Sequence, residues 1–403
     1  MRRGQPIKAT AIVAAVFVLC SLLFALTPAF GQDQPVLKIG FVGVMSGPNA
    51  SWGLVNRYCA EVTANMYNAQ GGVEIGGTKY QIEIVSIDDK NDPRLAINGA
   101  RKLTAEEGIT YIIGPNTDNT AQAVVPVLEE AGAMNIPYAF AKELYSPPAS
   151  NSILGMIASY QSGPLIYQRL MEDEGIETIA FVARNESDPL NQRDEGVAGA
   201  EMLGLEVVAS TDTYEAATTD FFPVMSRIVG LNPDLIVLSG AAPAHTPLLV
   251  KAARELGYTG LMSAETAQDA KILAEVAGDA ANGFISVGGA YTPEIGDAYM
   301  DEFVAAYIDH VGEWNDEAGT KVYALEMILE TLKLAGPEAI DDIEVFKAAM
   351  PNLDVENRLL KGENSLRYVG TGFFDQPRQL PIPMVVNEYR DGEFRTLFVG
   401  AID

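Results

Sequence analysis

The feature that most constrains this chain is an alternation of short apolar, β-branched runs with helical stretches, repeated in two consecutive series. The first series reads "VLKIGFVGV" (36–44) as a strand, then a helix from Trp52 to Asn68 that "QGG" at 70–72 stops. "YQIEIVSIDD" (80–89) is the next strand, followed by a helix opening at Asp92-Pro93, where aspartate caps and proline suits the first turn. "ITYIIG" (109–114), a helix from Thr120 to Glu130 and a strand "IPYAF" (136–140) complete it. After a segment of mixed character, 141–160, the second series runs "TIAFVA" (178–183), "LEVVAS" (205–210), "DLIVLS" (234–239), "GLM" (260–262) and "GFISVGG" (283–289), with helical stretches between. Strands separated by helices pair in parallel and bury both faces of their sheet. Two such series predict an α/β protein of two doubly wound parallel-sheet lobes, and 403 residues suffice for both cores.

Open parallel sheets take ligands outside the carboxyl ends of their strands, where polar loops meet helix N-termini. In the first series these ends are 46–52, 116–120 and the segment after Phe140; in the second they are 186–188, 239–242 and 263–269. Facing one another, the two sets would make a cleft. The stretch "VGVMSGPNASWG" (42–53) then reads as one lip of it: glycine and proline set the turn, hydroxyls offer hydrogen bonds, and Trp52 supplies an apolar face.

Residues 1–31 read as an export signal rather than as fold. Arg2, Arg3 and Lys8 form a basic start, Ala9 to Leu26 an apolar run, and Ala29-Phe30-Gly31 a small-x-small cleavage site before Gln32. The same run is long enough for a retained anchor, which is the alternative. Leu19 before Cys20 is bulkier than a lipid-anchor signal uses. Only Cys59 then remains, on a helical stripe with Val55, Tyr58, Val62 and Met66, and its thiol should be buried and inert. The formal net charge of −27 repels phosphate backbones and argues against a nucleic-acid partner. With two histidines, His245 and His310, far apart, and one mature cysteine, neither a metal site nor a cofactor is expected. GxGxxG, GxxxxGK[ST] and GxSxG are absent from the sequence, so no catalytic apparatus is visible.

The chain resembles a known family through an ordered series of segments: "KIGFVGVMSGPNASWG", "NAQGGVEIGGTKYQIEIVSIDDKNDPRLAINGARKLTAEEGITYIIGP", "VVPVLEEAG", "DFFPVMSRIVGLNPDLIVLSG", "LVKAARELGYTGLMSAE" and "LAEVAGDAANGFISVGG". They are similar to the type I periplasmic binding proteins of the leucine/isoleucine/valine-binding group, the receptors of ABC importers, across essentially the whole mature chain. The resemblance implies two α/β lobes joined by a hinge of three crossings, near 157–160, 288–291 and 369–374. Lobe one would hold 35–157 and 291–369; lobe two would hold 160–288 and 374–403.

The resemblance also implies binding roles. Trp52 falls where the family places an aromatic wall, with helix packing as the alternative. Asp118, flanked by Thr117 and Asn119, falls where amino-acid binders have a serine for the ligand carboxylate; a helix N-cap is the alternative. In the next loop, "YAFAKE", Ala139, Ala141 and Lys142 are candidates, Lys142 as the cation that Asp118 cannot be. Glu265 matches the family's carboxylate for the ligand ammonium. Asp188 lies near a hinge-side tyrosine position, and Ala242 replaces an aromatic of the pocket wall. Asn91 and Thr117 stand where some relatives have a cysteine pair. The expected function is that of a periplasmic, monomeric, non-enzymatic receptor that closes like a hinge on a small polar solute, an amino acid or related amino compound, and presents it to a membrane permease. A ligand-sensing receptor for a signalling partner, or a binder of an amide or aromatic acid, is the alternative.

Overall fold

The computed structural model describes residue 1, residues 34–362 and residues 364–400. The export signal expected at 1–31 therefore lies outside the described residues, apart from Met1. Among the described residues, no helix is long and apolar enough to cross a membrane.

The first lobe starts with strand β1 (Val36–Gly43) and helix α1 (Ala50–Ala69), followed by the hairpin β2 (Val73–Ile75) and β3 (Thr78–Asp88). Helix α2 (Pro93–Arg101), β4 (Tyr111–Ile113), α3 (Asp118–Ala131) and β5 (Met134–Ile136) follow. The sheet order is β2-β3-β1-β4-β5, and only the β2–β3 pair is antiparallel. Asp92 opens α2 as expected, its carboxylate accepting from the amides of Arg94 and Leu95 ahead of Pro93.

The second lobe contains α4 (Ser159–Asp173), β6 (Thr178–Arg184), α5 (Ser187–Leu203), β7 (Glu206–Tyr214), α6 (Phe222–Val229) and β8 (Leu235–Ser239). It continues with α7 (Thr246–Glu255), β9 (Leu261–Ala267), α8 (Ala270–Val276) and β10 (Phe284–Gly288). These five strands are parallel in the order β10-β9-β8-β6-β7. Strands β6, β8 and β10 are buried along nearly their whole length, which is why they read as unbroken apolar runs.

The chain then returns to the first lobe. Helices α9 (Ala298–Val311) and α10 (Tyr323–Ala335) pack on α1, and α11 (Ile343–Ala349) packs on α10. Phe41, Tyr111 and Ile113 from the first sheet share a core with Val55 and Cys59 of α1 and with Phe303, Leu329 and Phe346 of the returning helices. On the opposite face, Val42 and Ile112 pack with Ala96, Ala100, Val124 and Leu128 of α2 and α3. Cys59 is buried and unpaired, and burial pushes its thiol pKa up, so it is protonated and inert.

One stretch differs from the sequence reading, and another adds to it. The strand expected at 136–140 ends at Ile136. Pro137 has no amide to give, the Tyr138 amide donates to Pro115 O at 2.7 Å, and the amides of Phe140 and Ala141 donate to the Asp118 carboxylate. The C-terminal tail is a hairpin, β11 (Met384–Arg390) and β12 (Glu393–Gly400), that extends the second sheet antiparallel to β10. The chain thus passes between the lobes three times, within 137–158, 289–297 and 367–383.

Candidate functional site

On the first lobe, the lip is set by how closely α1 presses on the end of β1. A Cβ at Gly53 would stand 1.9 Å from Val44 O, so only glycine permits this approach. The approach fixes the first turn of α1 and with it half-buried Trp52. Ser51 Oγ donates to Glu317 Oε1 at 2.8 Å, and Lys321 Nζ meets Glu317 Oε2 at 3.3 Å, so α1 is tied to the short 3-10 turn Asp316–Thr320 beside the second crossing. Asn116 follows β4, while Tyr138 and Phe140 follow β5.

On the second lobe, β6 ends in Arg184, which is fully buried. Asp188 sits in the first turn of α5, and Gln192 is one turn further on the same face. Thr266 and Ala267 close β9. Between the lobes lies a cavity of about 50 Å³ lined by residues of both, with Arg184 next to its wall residue Asp188. Its apolar wall is Trp52, Tyr138, Phe140 and Met156; its polar wall is Asn116, Asp188, Gln192, Thr266, Thr320 and Lys321. The side chains of Asn116, the hydroxyl of Tyr138, Asp188 Oδ1 and Gln192 Oε1 have no hydrogen-bond partner among the described residues. Buried polar atoms are rarely left so, and all four residues line one space.

Arg184 dominates the local electrostatics. Its Nε donates to Glu186 Oε2 at 2.7 Å, Nη2 stands 3.6 Å from Asp188 Oδ2, and its guanidinium lies 5.6 Å from the centre of the Trp52 ring across the cleft. Burial raises the Asp188 pKa to about 7, against the lowering pull of Arg184, and the charges of Asp118 and Glu186 add to the rise. Burial, with Arg184 next, pushes His245 down to about 4, so that ring is neutral.

Several contacts span the cleft and hold the lobes together. Asn191 Nδ2 donates to Asp118 Oδ2 at 2.9 Å, and Lys142 pairs with Glu195 at 3.4 Å. The Ala270 amide donates to Asp316 Oδ2 and the Asp316 amide to Asp269 Oδ2, both at 3.1 Å. Lys271 pairs with Glu313.

Of the residues singled out in the sequence, Trp52 and Asp188 line the cavity. Thr117 and Asn119 instead reach back to the 89–92 loop: Thr117 Oγ1 donates to Asn91 Oδ1 at 2.7 Å and Asn119 Nδ2 to Asn91 O at 3.3 Å. The two positions where some relatives have cysteines are thus hydrogen-bonded. Asp118 lies in the first turn of α3 behind Thr117, the N-cap residue, and its carboxylate is used by the Phe140 and Ala141 amides and by Asn191. Ala139 and Ala141 are buried beside the Tyr145 and Tyr160 rings. Lys142 lies over the Tyr160 ring at 4.2 Å, outside the cavity. Ala242 is buried, its carbonyl accepting from the His245 and Thr246 amides.

Glu265 points away from the cavity. Its carboxylate accepts from Tyr167 between α4 and α5, where Gly163 and Gly196 leave room for it, and burial pushes its pKa to about 8. Adjacent strand residues face opposite sides of a sheet, so it is Thr266, one position on, that reaches the cavity. Asn116 and Thr266 fall within the strand-end segments marked from sequence. Arg184 carried a visible signal, an arginine ending an apolar strand run. Thr320 and Lys321 carried none, because nothing local places them near the second lobe.

Two doubly wound lobes, three crossings and an enclosed polar cavity at facing strand ends define the class of two-lobed solute-binding proteins. The chain belongs to the periplasmic binding protein family, whose sequence model matches residues 36–381. The Leu/Ile/Val-binding protein of Escherichia coli (strain K12) is 30% identical over 285 residues, which cover 69% of this chain and 72% of that protein. The solved leucine binding protein of Thermotoga maritima superposes with a TM-score of 0.75 at 19% identity, covering 90% of this chain and 98% of that one. A solute binding protein of an ABC transporter from Rhodopseudomonas palustris, solved with benzoate, gives 0.73 at 19% identity, covering 91% and 96%.

Proposed function

We propose that this protein is the extracytoplasmic solute receptor of an ABC importer, and that it closes on a small amino compound, an amino acid first, beneath Trp52. The observation that carries this reading is Asp188. It is a buried carboxylate on the cavity wall, with one oxygen unpartnered among the described residues, and it is placed to accept from an ammonium group. The name of the Escherichia coli relative supports the amino-acid reading. The receptor acts as a monomer outside the cytoplasm, binds without turnover, and hands its solute to a membrane permease.

An aromatic acid is a second reading. The apolar wall of Trp52, Tyr138, Phe140 and Met156 favours it, as does the benzoate complex of the Rhodopseudomonas relative. A thermal-shift screen of amino acids, amides, aromatic acids and diacids separates the two. A solute at 100 times its Kd adds about 2.7 kcal/mol of stability. Trp52→Ala should weaken the binding of the successful solute with little loss of stability. A screen in which no member stabilises the protein, or a Trp52→Ala variant that binds as tightly as the parent, overturns the cleft reading.

A further inference from the structure

We infer that Arg184 and Asp188 act as one receiving pair, so that both charges of an α-amino acid's zwitterionic head are taken by the second lobe while the first lobe supplies the wall for its side chain. This rests on the receptor reading above and narrows its solute class. Arg184 is fully buried, yet Nη1 and Nη2 have no hydrogen-bond partner among the described residues; only Nε is satisfied, by Glu186. A buried guanidinium with a free fork is costly unless an acidic group meets it, and the planar fork suits a carboxylate.

The charge balance decides what kind of acid can do so. Glu186 already offsets Arg184, and Asp188 lies 3.6 Å from Nη2, so a solute that is only anionic would add a carboxylate to a site already rich in them. An α-amino acid avoids this. Its ammonium and carboxylate sit on neighbouring carbons, a spacing comparable to the approach of Nη2 and Asp188 Oδ2, and it adds no net charge. Its carboxylate completes the Arg184 fork while its ammonium takes the unpartnered Oδ1 of Asp188. Lys321, the other cation on the cavity wall, is already paired with Glu317 at 3.3 Å, and the remaining nearby groups add no competing cation. His245 is neutral, the Tyr214 hydroxyl opposite Arg184 in the strand register has no partner among the described residues, and Lys142 is engaged with Glu195 at the rim. Trp52, across the cleft from the guanidinium, caps the head, and Tyr138, Phe140 and Met156 are left for the tail.

The test uses the twenty L-amino acids and, for each that binds, its α-amide and its des-amino acid, titrated calorimetrically into the full-length protein. Removing either charge of the solute should raise Kd at least about thirtyfold, as for truncation within a desolvated charge pair. In Arg184→Gln, the preference for the acid over its amide should vanish. In Asp188→Asn, the preference for the amino acid over its des-amino acid should vanish. Arg184→Lys keeps the charge and serves if Arg184→Gln does not fold; it should lower affinity for the acid while leaving that for the amide within about threefold. Amides that bind the parent as tightly as acids, or a substitution at Arg184 that weakens acids and amides equally, overturn the pair and leave the receptor reading standing. Binding by aromatic acids alone does the same. Binding by none of these compounds overturns both.

Discussion

Glu265 is a carboxylate confined where no cation reaches it, with the Tyr167 hydroxyl as its one donor among the described residues. Its pKa of about 8 in the fold stands far above the ordinary value near 4.3 that it regains on unfolding. The folded state therefore holds this proton more tightly, and stability falls as pH rises from about 4.5 to about 8, levelling beyond. Glu265→Gln keeps an acceptor for Tyr167 and removes the charge. Its melting temperature should rise relative to the parent as pH is raised from 5 to 8, with little difference at pH 5. A difference independent of pH would mean that the group is ionised throughout. The sequence placed Glu265 within the right strand end but could not tell which side it faces. The choice between it and Thr266 is a matter of one residue of register, and it is settled by the glycines at 163 and 196 on two helices distant in sequence. Trp52 and Asp188 were legible because each begins a helix directly after a strand.

At the scale of elements, the start of α1 is the part on which the cavity most depends. Gly53→Ala would force the helix off Val44, with an overpacking cost of roughly 1–3 kcal/mol. The expected result is a lower melting temperature together with weaker solute binding, since Trp52 would move with the helix. An alanine variant with unchanged melting and affinity would show that the lip tolerates a shift. The alternation of strands and helices was legible because parallel strands buried on both faces must be apolar runs. Strand β5 was misjudged in length because its continuation gives its amides to Asp118 and to Pro115, a long-range choice that no local pattern records. The segment 374–403 was assigned to lobe two with no elements of its own, although it forms an edge hairpin of the second sheet. Strand β12 alternates half-buried and exposed positions at the sheet edge, and its pairing partner is fixed by the third crossing.

At the scale of the whole molecule, the bonds across the cleft set the balance between closed and open forms. Asn191 to Asp118 is a single hydrogen bond to a carboxylate from a side chain at the surface. Its loss should cost about 1 kcal/mol. Asn191→Ala should therefore raise the solute's Kd roughly fivefold without changing the melting temperature of the solute-free protein. Small-angle scattering should show the radius of gyration shrinking on solute addition in both proteins, with more solute needed in the variant; curves insensitive to solute would count against hinge closure. The threefold passage between lobes also bears on the order of assembly. For a chain emerging from its N-terminus, the five parallel strands of the second lobe are together by Gly288, lacking only an edge hairpin. The first lobe still lacks α9 to α11, without which the core that α1 shares with Phe41 and Tyr111 is incomplete. The Tyr67 hydroxyl must wait for Glu330, 263 residues away. The lobe begun first thus keeps part of its apolar sheet face open to chaperones until the returning helices are made, while the second lobe waits only for its edge hairpin.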